Sequence, residues 1–173
     1  MAGDITGKGS LASTALTVTN LHSLASSVDY LAGWGSAGID KSTFLDYSFG
    51  AKFTTHASNR QAGSINIYVV GSLNATPNYP AVASGTAGTE GAVSFVDAEE
   101  RDSACRLLAS ITVDNSASAV MDFPATAIAA LFNGVLPPFF FFYVSQNCST
   151  TTTAGLAAAG SAVYGTPSYG AYT

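Results

Sequence analysis

Few residues in this chain can do acid–base chemistry. His22 and His56 are the only histidines among its 173 residues. His22 is near Asp29 and several serines, which are the residue types of a Ser-His-Asp triad, but triad members are brought together by the fold and not by proximity in sequence. A chain so rich in serine and threonine gives such coincidences freely. We therefore predict that the protein is not an enzyme and has no catalytic residues.

Four carboxylates lie close together at Asp97, Glu99, Glu100 and Asp102. Paired carboxylates or a calcium site would use such residues, but the spacing matches no calcium-binding loop. Acidic residues come first in residues 97–106 and basic residues last, which is the order that a helix dipole favours. We predict a short helix or a solvated turn here, and no metal site.

Cys105 and Cys148 are the only cysteines. They could form one disulfide, but the N-terminus has no cationic segment followed by an apolar one, which predicts synthesis in a cytoplasm and favours buried free thiols. Neither cysteine lies in a CxxC motif or beside a histidine, so the spacing supports neither zinc binding nor thiol catalysis. The glycines of 33–35 open no helix after a strand, so no phosphate-binding loop and no cofactor is predicted.

The composition limits the partners. Only 10% of the residues are charged, against about 25% in an ordinary soluble domain. Six Lys and Arg with a net charge of −5 exclude a basic surface for nucleic acid, and neither a spanning segment nor a basic amphipathic helix indicates a membrane. A neutral surface protects poorly against association, so we expect much of it to be covered in an assembly. The alternative is a sandwich of small residues with a Ser/Thr face.

The most apolar stretch is residues 135–144, with two prolines followed by four phenylalanines, a tyrosine and a valine. It is too short to cross a bilayer as a helix. Its aromatic and β-branched content predicts a strand buried on both faces, with residues 139–143 pointing alternately to opposite sides. Such a strand needs apolar layers above and below it, which other strands must supply.

Alternating or apolar runs predict those strands, and turn residues separate them. The predicted strands are 15–19, 24–31, 44–55 with a bulge or bend at Gly50, 64–73 as a central strand, 92–96, 107–113, 120–123 ending before Pro124, and 162–172 with a break or edge at Pro167. Gly33-Trp34-Gly35 is predicted to end the strand 24–31 with a break in regular structure. Residues 127–132 are predicted to form a short helix. The loop 74–91 is long enough to be either functional or mobile.

This pattern predicts an all-β fold, an antiparallel β-sandwich that is jelly-roll-like and less than about a quarter helix. An immunoglobulin-type sandwich is disfavoured because Trp34 precedes both cysteines. Residues 1–12, which are polar and glycine-rich, are predicted to be an extended N-terminal arm, and residues 13–173 a single sandwich domain.

Residues 131–139, followed by 140–147, resemble the small jelly-roll proteins encoded near the capsid genes of tailed bacteriophages. Residues 63–72 and 24–27 are also similar to these proteins in sequence character. The four consecutive phenylalanines depart from the pattern of these proteins. Those proteins are auxiliary capsid components. The resemblance implies a cement or decoration protein on the exterior of the capsid in the virion, with the major capsid protein as partner and without catalytic residues or a cofactor.

Five apolar or aromatic residues near the two ends are candidate assembly contacts: Ile5, Leu11, Tyr164, Tyr169 and Tyr172. A homotrimer would match the threefold positions of an icosahedral head by symmetry. A tail or receptor-binding module that binds glycans is the alternative, and Trp34, Tyr79 and the tail tyrosines are its possible stacking residues, although burial of such aromatics is more common. A glycan hydrolase would instead need two carboxylates facing each other across a cleft.

Overall fold

The computed structural model describes residues 5–10, 13–73, 83–84, 89–149 and 154–172. In this part of the chain helix is limited to the seven residues of α1 (Ala98–Ala104) and the four of a 3-10 helix (Ala129–Phe132). The strands in chain order are β1 (Ile5–Ser10), β2 (Thr14–Ala15), β3 (Ala32–Gly35), β4 (Ile39–Asp40), β5 (Asp46–Thr54), β6 (Gly63–Ser72), β7 (Ala83–Ser84), β8 (Gly91–Phe95), β9 (Cys105–Val113), β10 (Val120–Ala127), β11 (Phe139–Gln146) and β12 (Ala162–Tyr172).

The strands form two antiparallel sheets. The first sheet has the order β1-β12-β5-β10, with β2 also paired to β12. The second sheet has the order β7-β8-β3-β11-β6-β9, with β4 also paired to β11. Buried side chains from both sheets meet in one core cluster, which places the sheets face to face as a sandwich.

The pairing of the strands is nested along the chain. β1 and β2 pair with β12, β3 and β4 with β11, β5 with β10, and β6 with β9, so the first half of the chain runs against the second like one long hairpin. The pairings of β12 with β5 and of β11 with β6 roll this hairpin into two sheets. This is jelly-roll connectivity. The predicted all-β, jelly-roll-like antiparallel sandwich is confirmed, and β7 and β8 extend the second sheet beyond β3.

The phenylalanine strand β11 is central, as predicted. It pairs with β6 along its whole length and with β3 and β4 on its other side. Phe140 and Phe142 belong to the core cluster between the sheets, whereas Phe141 and Tyr143 belong to a second cluster on the opposite face. All four side chains are at most 2% exposed. The predicted alternation and burial of this strand are confirmed.

The glycine segment predicted as a break is instead strand β3. An added Cβ at Gly33 would lie 2.2 Å from the Val144 carbonyl oxygen, and one at Gly35 would lie 2.5 Å from a methyl carbon of Val93. The glycines are therefore needed for close approach of neighbouring strands, not for a bend. Between them, Trp34 is fully buried in the core cluster.

The strands predicted at 15–19 and 24–31 are wrong. Of the first, only Ala15 lies in a strand, β2, and of the second, Ala25 makes only an isolated bridge with Ala154. The Ser27 hydroxyl accepts the backbone N–H groups of Leu31 and Ala32, and this local bonding competes with strand pairing. The apolar residues of the segment anchor it as a loop, with Leu21 fully buried and Leu24 nearly so.

The predicted end of a strand before Pro124 is also wrong, because β10 continues to Ala127. The register of β10 against β5 shifts between Phe123 and Thr126. The predicted bulge therefore lies on β10, where Ala125 is the nearest neighbour of Gly50, and not on β5 itself. β10 is an edge strand in the first sheet, which is where proline and bulges are tolerated.

The other predicted elements are confirmed with small changes of boundary. The predicted strands 44–55, 64–73, 92–96, 107–113 and 162–172 correspond to β5, β6, β8, β9 and β12. The predicted helix at 127–132 is the 3-10 helix, and it ends at Asn133 and Gly134, which both have positive φ. Most of the predicted loop 74–91 lies outside the described residues.

Candidate functional site

The two ends of the chain are paired with each other. β1 runs antiparallel to β12, and Ile5 is directly opposite Tyr172 in this ladder. The predicted arm and the predicted tail therefore meet along residues 5–10 at the edge of the first sheet. The structure describes only the backbone of Ile5 and Tyr172, and Leu11 lies outside the described residues.

The two other tail tyrosines lie on opposite faces of β12. Tyr169 is half-buried and packs edge-on against Phe44, with ring centroids 6.4 Å apart. Tyr164 is 45% exposed and lies opposite Gly50 on one side and Ala15 on the other. Among the predicted contacts whose side chains are described, only Tyr164 is available at the surface.

Tyr164 belongs to a surface that we call the outer face of the first sheet. Burial alternates along β5, so its even-numbered residues and their cross-strand partners point away from the core. Lys52 and Asp122 are direct cross-strand partners and are its only charged members. Asp46, at the start of β5, is not counted because its carboxylate accepts the backbone N–H groups of Tyr47 and Ala129. The outer face consists of Ser48, Gly50, Lys52, Thr54, Val120, Asp122, Ala127, Ala162, Tyr164, Thr166 and Ser168.

The corresponding face of the second sheet is occupied by its own apolar cluster. Tyr68, Phe95, Phe141 and Tyr143 are buried there, and Ala104 of α1 packs against them. The guanidinium carbon of Arg101 lies 5.6 Å from the centre of the Tyr68 ring. In the part of the chain that the structure describes, the two faces of the sandwich therefore differ, because a cluster and α1 cover the second sheet and nothing covers the first.

The acidic cluster has local structural roles. Asp97 is the N-cap of α1 and accepts the Glu100 N–H at 2.8 Å, while the Glu100 carboxylate accepts the Val96 N–H at 3.2 Å. Asp102 forms an ion pair with Arg101 at 2.8 Å, and Arg101 also donates to the Asp29 carbonyl oxygen. These contacts form a capped short helix that Arg101 ties to the loop before β3.

The single tryptophan is a core residue, and so it cannot stack on a bound sugar. The Trp34 indole N–H donates to the Glu90 carboxylate at 2.7 Å. The same carboxylate accepts the backbone N–H of Asn20 at 2.6 Å and its side-chain amide at 2.8 Å. Glu90 therefore joins the loop around Asn20 to β3. No pattern in the sequence indicates this role, since Glu90 follows a glycine-rich loop and is far from both partners in the chain. Tyr79 lies outside the described residues.

Both histidines bond to the backbone. The Nε2 of His22 donates to the Ser161 carbonyl oxygen at 3.1 Å, and the Nδ1 of His56 accepts the N–H groups of Ser58 and Asn59. No group of three or more His, Cys, Asp or Glu side chains in the described ranges could hold a metal ion. None of the helices in those ranges is long and apolar enough to span a membrane.

The two cysteines are buried free thiols, as predicted. Burial raises the pKa of Cys105 to about 12 and that of Cys148 to about 12. The Cys148 thiol donates to the Ser64 carbonyl oxygen at 3.4 Å, which favours its protonated form. At neutral pH both thiols are protonated and shielded, which is the opposite of a reactive cysteine.

Three grooves among the described residues lie outside the outer face, and two of them contain charged side chains. One, of about 480 Å³, is lined by Val28, Asp29, Tyr30, Asp97 and Arg101 among others. The other, of about 240 Å³, is lined by apolar residues with one cation: Leu73, Ala104, Arg106, Phe132 and Pro137. The first has the pairing of an aromatic residue with carboxylates that sugar binding would use, although Tyr30 itself is half-buried and its hydroxyl is 2.5 Å from the Ser64 hydroxyl.

Comparison with known proteins gives no match: no family model, no curated protein and no solved structure is significantly similar to this chain. The fold therefore defines the class of protein as an antiparallel jelly-roll sandwich.

Proposed function

We propose that the chain is a structural virion protein, a cement or decoration protein that binds the outside of a tailed-phage capsid and stabilises it. The observation that carries this proposal is the contrast between the two faces of the sandwich. The second sheet is covered by its own cluster and α1, whereas no described residue covers the outer face of the first sheet, which has one pair of opposite charges. A face with so little charge is the part of a structural protein that a larger assembly would cover.

The outer face has the composition of an interface core. Interface cores are depleted in charged residues and enriched in tyrosine. Lys52 and Asp122 offset each other's charge across the strands, and the exposed Tyr164 stands among Gly50, Thr166 and other small side chains. Because regular strands hold these residues, docking would order few side chains and little backbone, which lowers the entropic cost of binding.

The resemblance to auxiliary capsid proteins supplies the partner, the major capsid protein, and the location on the capsid exterior. A homotrimer would match the local threefold positions of the icosahedral lattice. β1 pairs with β12, and β12 also supplies Tyr164 to the outer face, so both ends of the chain lie in the same sheet as this face.

The test is addition of the purified protein to phage heads that lack it. Tyr164→Asp places a charge at the middle of the outer face and should weaken head binding by tenfold or more, about 1.4 kcal/mol or greater. Val28→Asp is the matched control, because Val28 is 80% exposed and lines the groove beside α1 on the other side of the sandwich. Equal binding by wild type and Tyr164→Asp would show that the outer face is not the surface that contacts the head. Absence of head binding by wild type would reject the proposed function.

A glycan-binding module of a phage tail or receptor-binding protein is the second candidate. The groove with Asp29, Tyr30, Asp97 and Arg101 favours it, because aromatic rings and carboxylates together bind sugars. Saturable binding of host-surface glycans, lost in Asp29→Ala and retained in Tyr164→Asp, together with no head binding, would establish this candidate in place of the first.

A further inference from the structure

Strand β9 is the last strand of the second sheet on one side. β6 lies along one of its edges, and in the part of the chain that the structure describes no strand pairs with the other edge. In an antiparallel ladder alternate residues direct their N–H and C=O groups away from the partner strand. The free edge of β9 therefore presents a row of backbone donors and acceptors that can pair with another strand.

The edge of β10 shows how this chain blocks such pairing elsewhere. β10 carries Pro124, a bulge and the charged Asp122, which are common devices against edge-to-edge association. The bulge of β9 lies near Leu108, at the shift between Ile67 and Tyr68 in the β6 ladder. From Ala109 to Val113 β9 has neither proline, nor charge, nor a shift of register. Among the described residues, nothing protects this five-residue edge.

Charges lie only at the two ends of the edge, and their signs are opposite. Arg106 is near the start of β9, and Asp114 follows its last residue. Both are exposed, and within the described ranges the only ion pair is between Arg101 and Asp102. An antiparallel pair of two β9 strands brings the Arg106 end of each copy to the Asp114 end of the other, whereas a parallel pair brings like charges together.

The side chains also fit a second copy. Ser110 is the residue at the middle between Arg106 and Asp114, and it is small, exposed and uncharged. Ala109 and Ile111 are half-buried and pack against the core cluster between the sheets. A twofold axis near Ser110, within the regular residues 109–113 and clear of the bulge at Leu108, would place these residues beside their counterparts from the other copy, so that both cores continue across the contact and bury more apolar surface.

We propose that β9 is a self-association edge, through which two copies of this chain join antiparallel about a twofold axis near Ser110 and extend the second sheet across both copies. This contact goes beyond the proposed function and does not depend on it. In a shell of trimers on threefold positions, a twofold contact of this kind would link neighbouring trimers.

The first test measures the mass of the purified protein over a range of concentration by sedimentation. Wild type should show a concentration-dependent doubling of mass, from monomer to dimer or from trimer to hexamer. Ser110→Lys places two like charges at the axis and should weaken the doubling at least tenfold. Val96→Lys is the matched control, because it adds the same charge at a side chain that is 79% exposed and outside β9, and it should leave the doubling unchanged.

The second test uses charge exchange and is independent of whether one variant folds less well. Arg106→Glu and Asp114→Lys each place two repulsive pairs in a contact between identical copies, so each variant alone should lose the doubling. Mixed together, the two variants restore both attractive pairs in a contact between unlike copies, and the mixture should associate. Double substitution in one chain should restore association as well.

Three outcomes would overturn the proposal. These are a wild-type mass that shows no doubling at any concentration, a doubling that Ser110→Lys leaves unchanged, and a mixture of the two charge variants that associates no better than either alone. A trimer whose mass is the same in wild type and Ser110→Lys would leave the proposed function standing while rejecting the β9 contact. A wild type that does not bind heads but doubles in mass, with a doubling that Ser110→Lys weakens, would reject the proposed function and leave the β9 contact standing.

Discussion

Phe142 of β11 lies against Phe49 of β5 across the two sheets, with ring centroids 4.3 Å apart. Phe49 comes from the first sheet and Phe142 from the second, so this contact is the most direct aromatic link between them among the ring pairs with described geometry. Its neighbour Phe141 points to the opposite side of the second sheet. One strand thus supplies both the core between the sheets and the cluster beyond the second sheet.

Truncation of the phenylalanine strand should be strongly destabilising on both faces. Phe140→Ala and Phe141→Ala should each lower the free energy of unfolding by about 3–5 kcal/mol, because each removes a buried ring and leaves a cavity. Val135→Ala is the control, since Val135 is 69% exposed, and it should change stability by less than about 0.5 kcal/mol. Urea unfolding measures all three, and an unchanged midpoint for either phenylalanine variant would contradict the two-faced burial.

Gly33→Ala should weaken the pairing of β3 with β11. The new Cβ would lie 2.2 Å from the Val144 carbonyl oxygen, which is backbone in the central strand and cannot move aside easily. The expected loss is about 1–3 kcal/mol or more, in the range of overpacked cores. Gly91→Ala is the matched control on β8, which pairs with the other side of β3, because nothing lies within 4 Å of its added Cβ. Equal stability of the two variants would show that β3 and β11 are further apart than described.

Segments with one clear local pattern, either uninterrupted apolar residues or apolar–polar alternation, were predictable from the sequence. Residues 139–146 are aromatic and β-branched without interruption, and 63–72 alternate, so both were recognised as strands. β3 was not, because Gly33 and Gly35 have the local signature of a break. Their actual cause is the close approach of Val144 and Val93, which are far away in the sequence. The nested pairing of the strands could not be derived in detail, since it depends on contacts across the whole chain.

The candidate assembly contacts Tyr164 and Tyr169 show the same limit of prediction from local sequence. Tyr164 and Tyr169 are five positions apart, so in one continuous strand they must face opposite sides. The sequence did not predict this difference, because a break at Pro167 would interrupt the alternation between the two tyrosines. β12 in fact runs through Pro167, which falls between the residues paired with β2 and those paired with β1. Following the alternation through the proline would have placed Tyr164 outside and Tyr169 inside.

Stability should fall as the solution becomes alkaline. Burial raises the pKa of Cys105, of Cys148 and of Tyr47 to about 12 each, above the values of about 8.5 and 10 that thiols and phenols have in an unfolded chain. An acid whose pKa is raised by folding contributes stability below its unfolded pKa and loses it as the pH rises toward the folded pKa. Unfolding free energy should therefore be level to about pH 8 and then decline. The variant with both cysteines replaced by alanine should begin its decline nearer pH 10, and coincident profiles would contradict the thiol contribution.

The same burial predicts that a thiol reagent such as Ellman's reagent will not react with native protein at about pH 8, where an ordinary exposed thiol is partly ionised. Both thiols should react after unfolding in urea. Rapid reaction of one or two thiols without denaturant would show that these cysteines are accessible.

Removal of the Glu90 carboxylate should open the contact between the Asn20 loop and β3. Glu90→Ala leaves the Trp34 indole N–H, on a fully buried side chain, without its acceptor, and the expected cost is about 1–3 kcal/mol. Trp34 is the only tryptophan, so its emission reports directly on this site and should shift to longer wavelength. Glu99→Ala is the control, because it removes a carboxylate from the exposed first turn of α1. An unchanged emission maximum in Glu90→Ala would show that this carboxylate does not hold the indole.

Deletion of residues 1–12 tests whether the end of the chain takes part in head binding. This deletion removes β1, but β12 keeps its ladder with β5 from Ala162 to Ser168, so the sandwich should remain folded with a cooperative unfolding transition. Binding to heads should become weaker, because the deletion removes the predicted contacts Ile5 and Leu11 and the strand that supports the end of β12. Combining the deletion with Tyr164→Asp should weaken binding further than either change, since the two lie in the same sheet but do not contact each other in the ladder. If the shortened protein bound heads as tightly as the full chain, the N-terminal segment would have no part in assembly, and the outer face around Tyr164 would have to supply the contact alone.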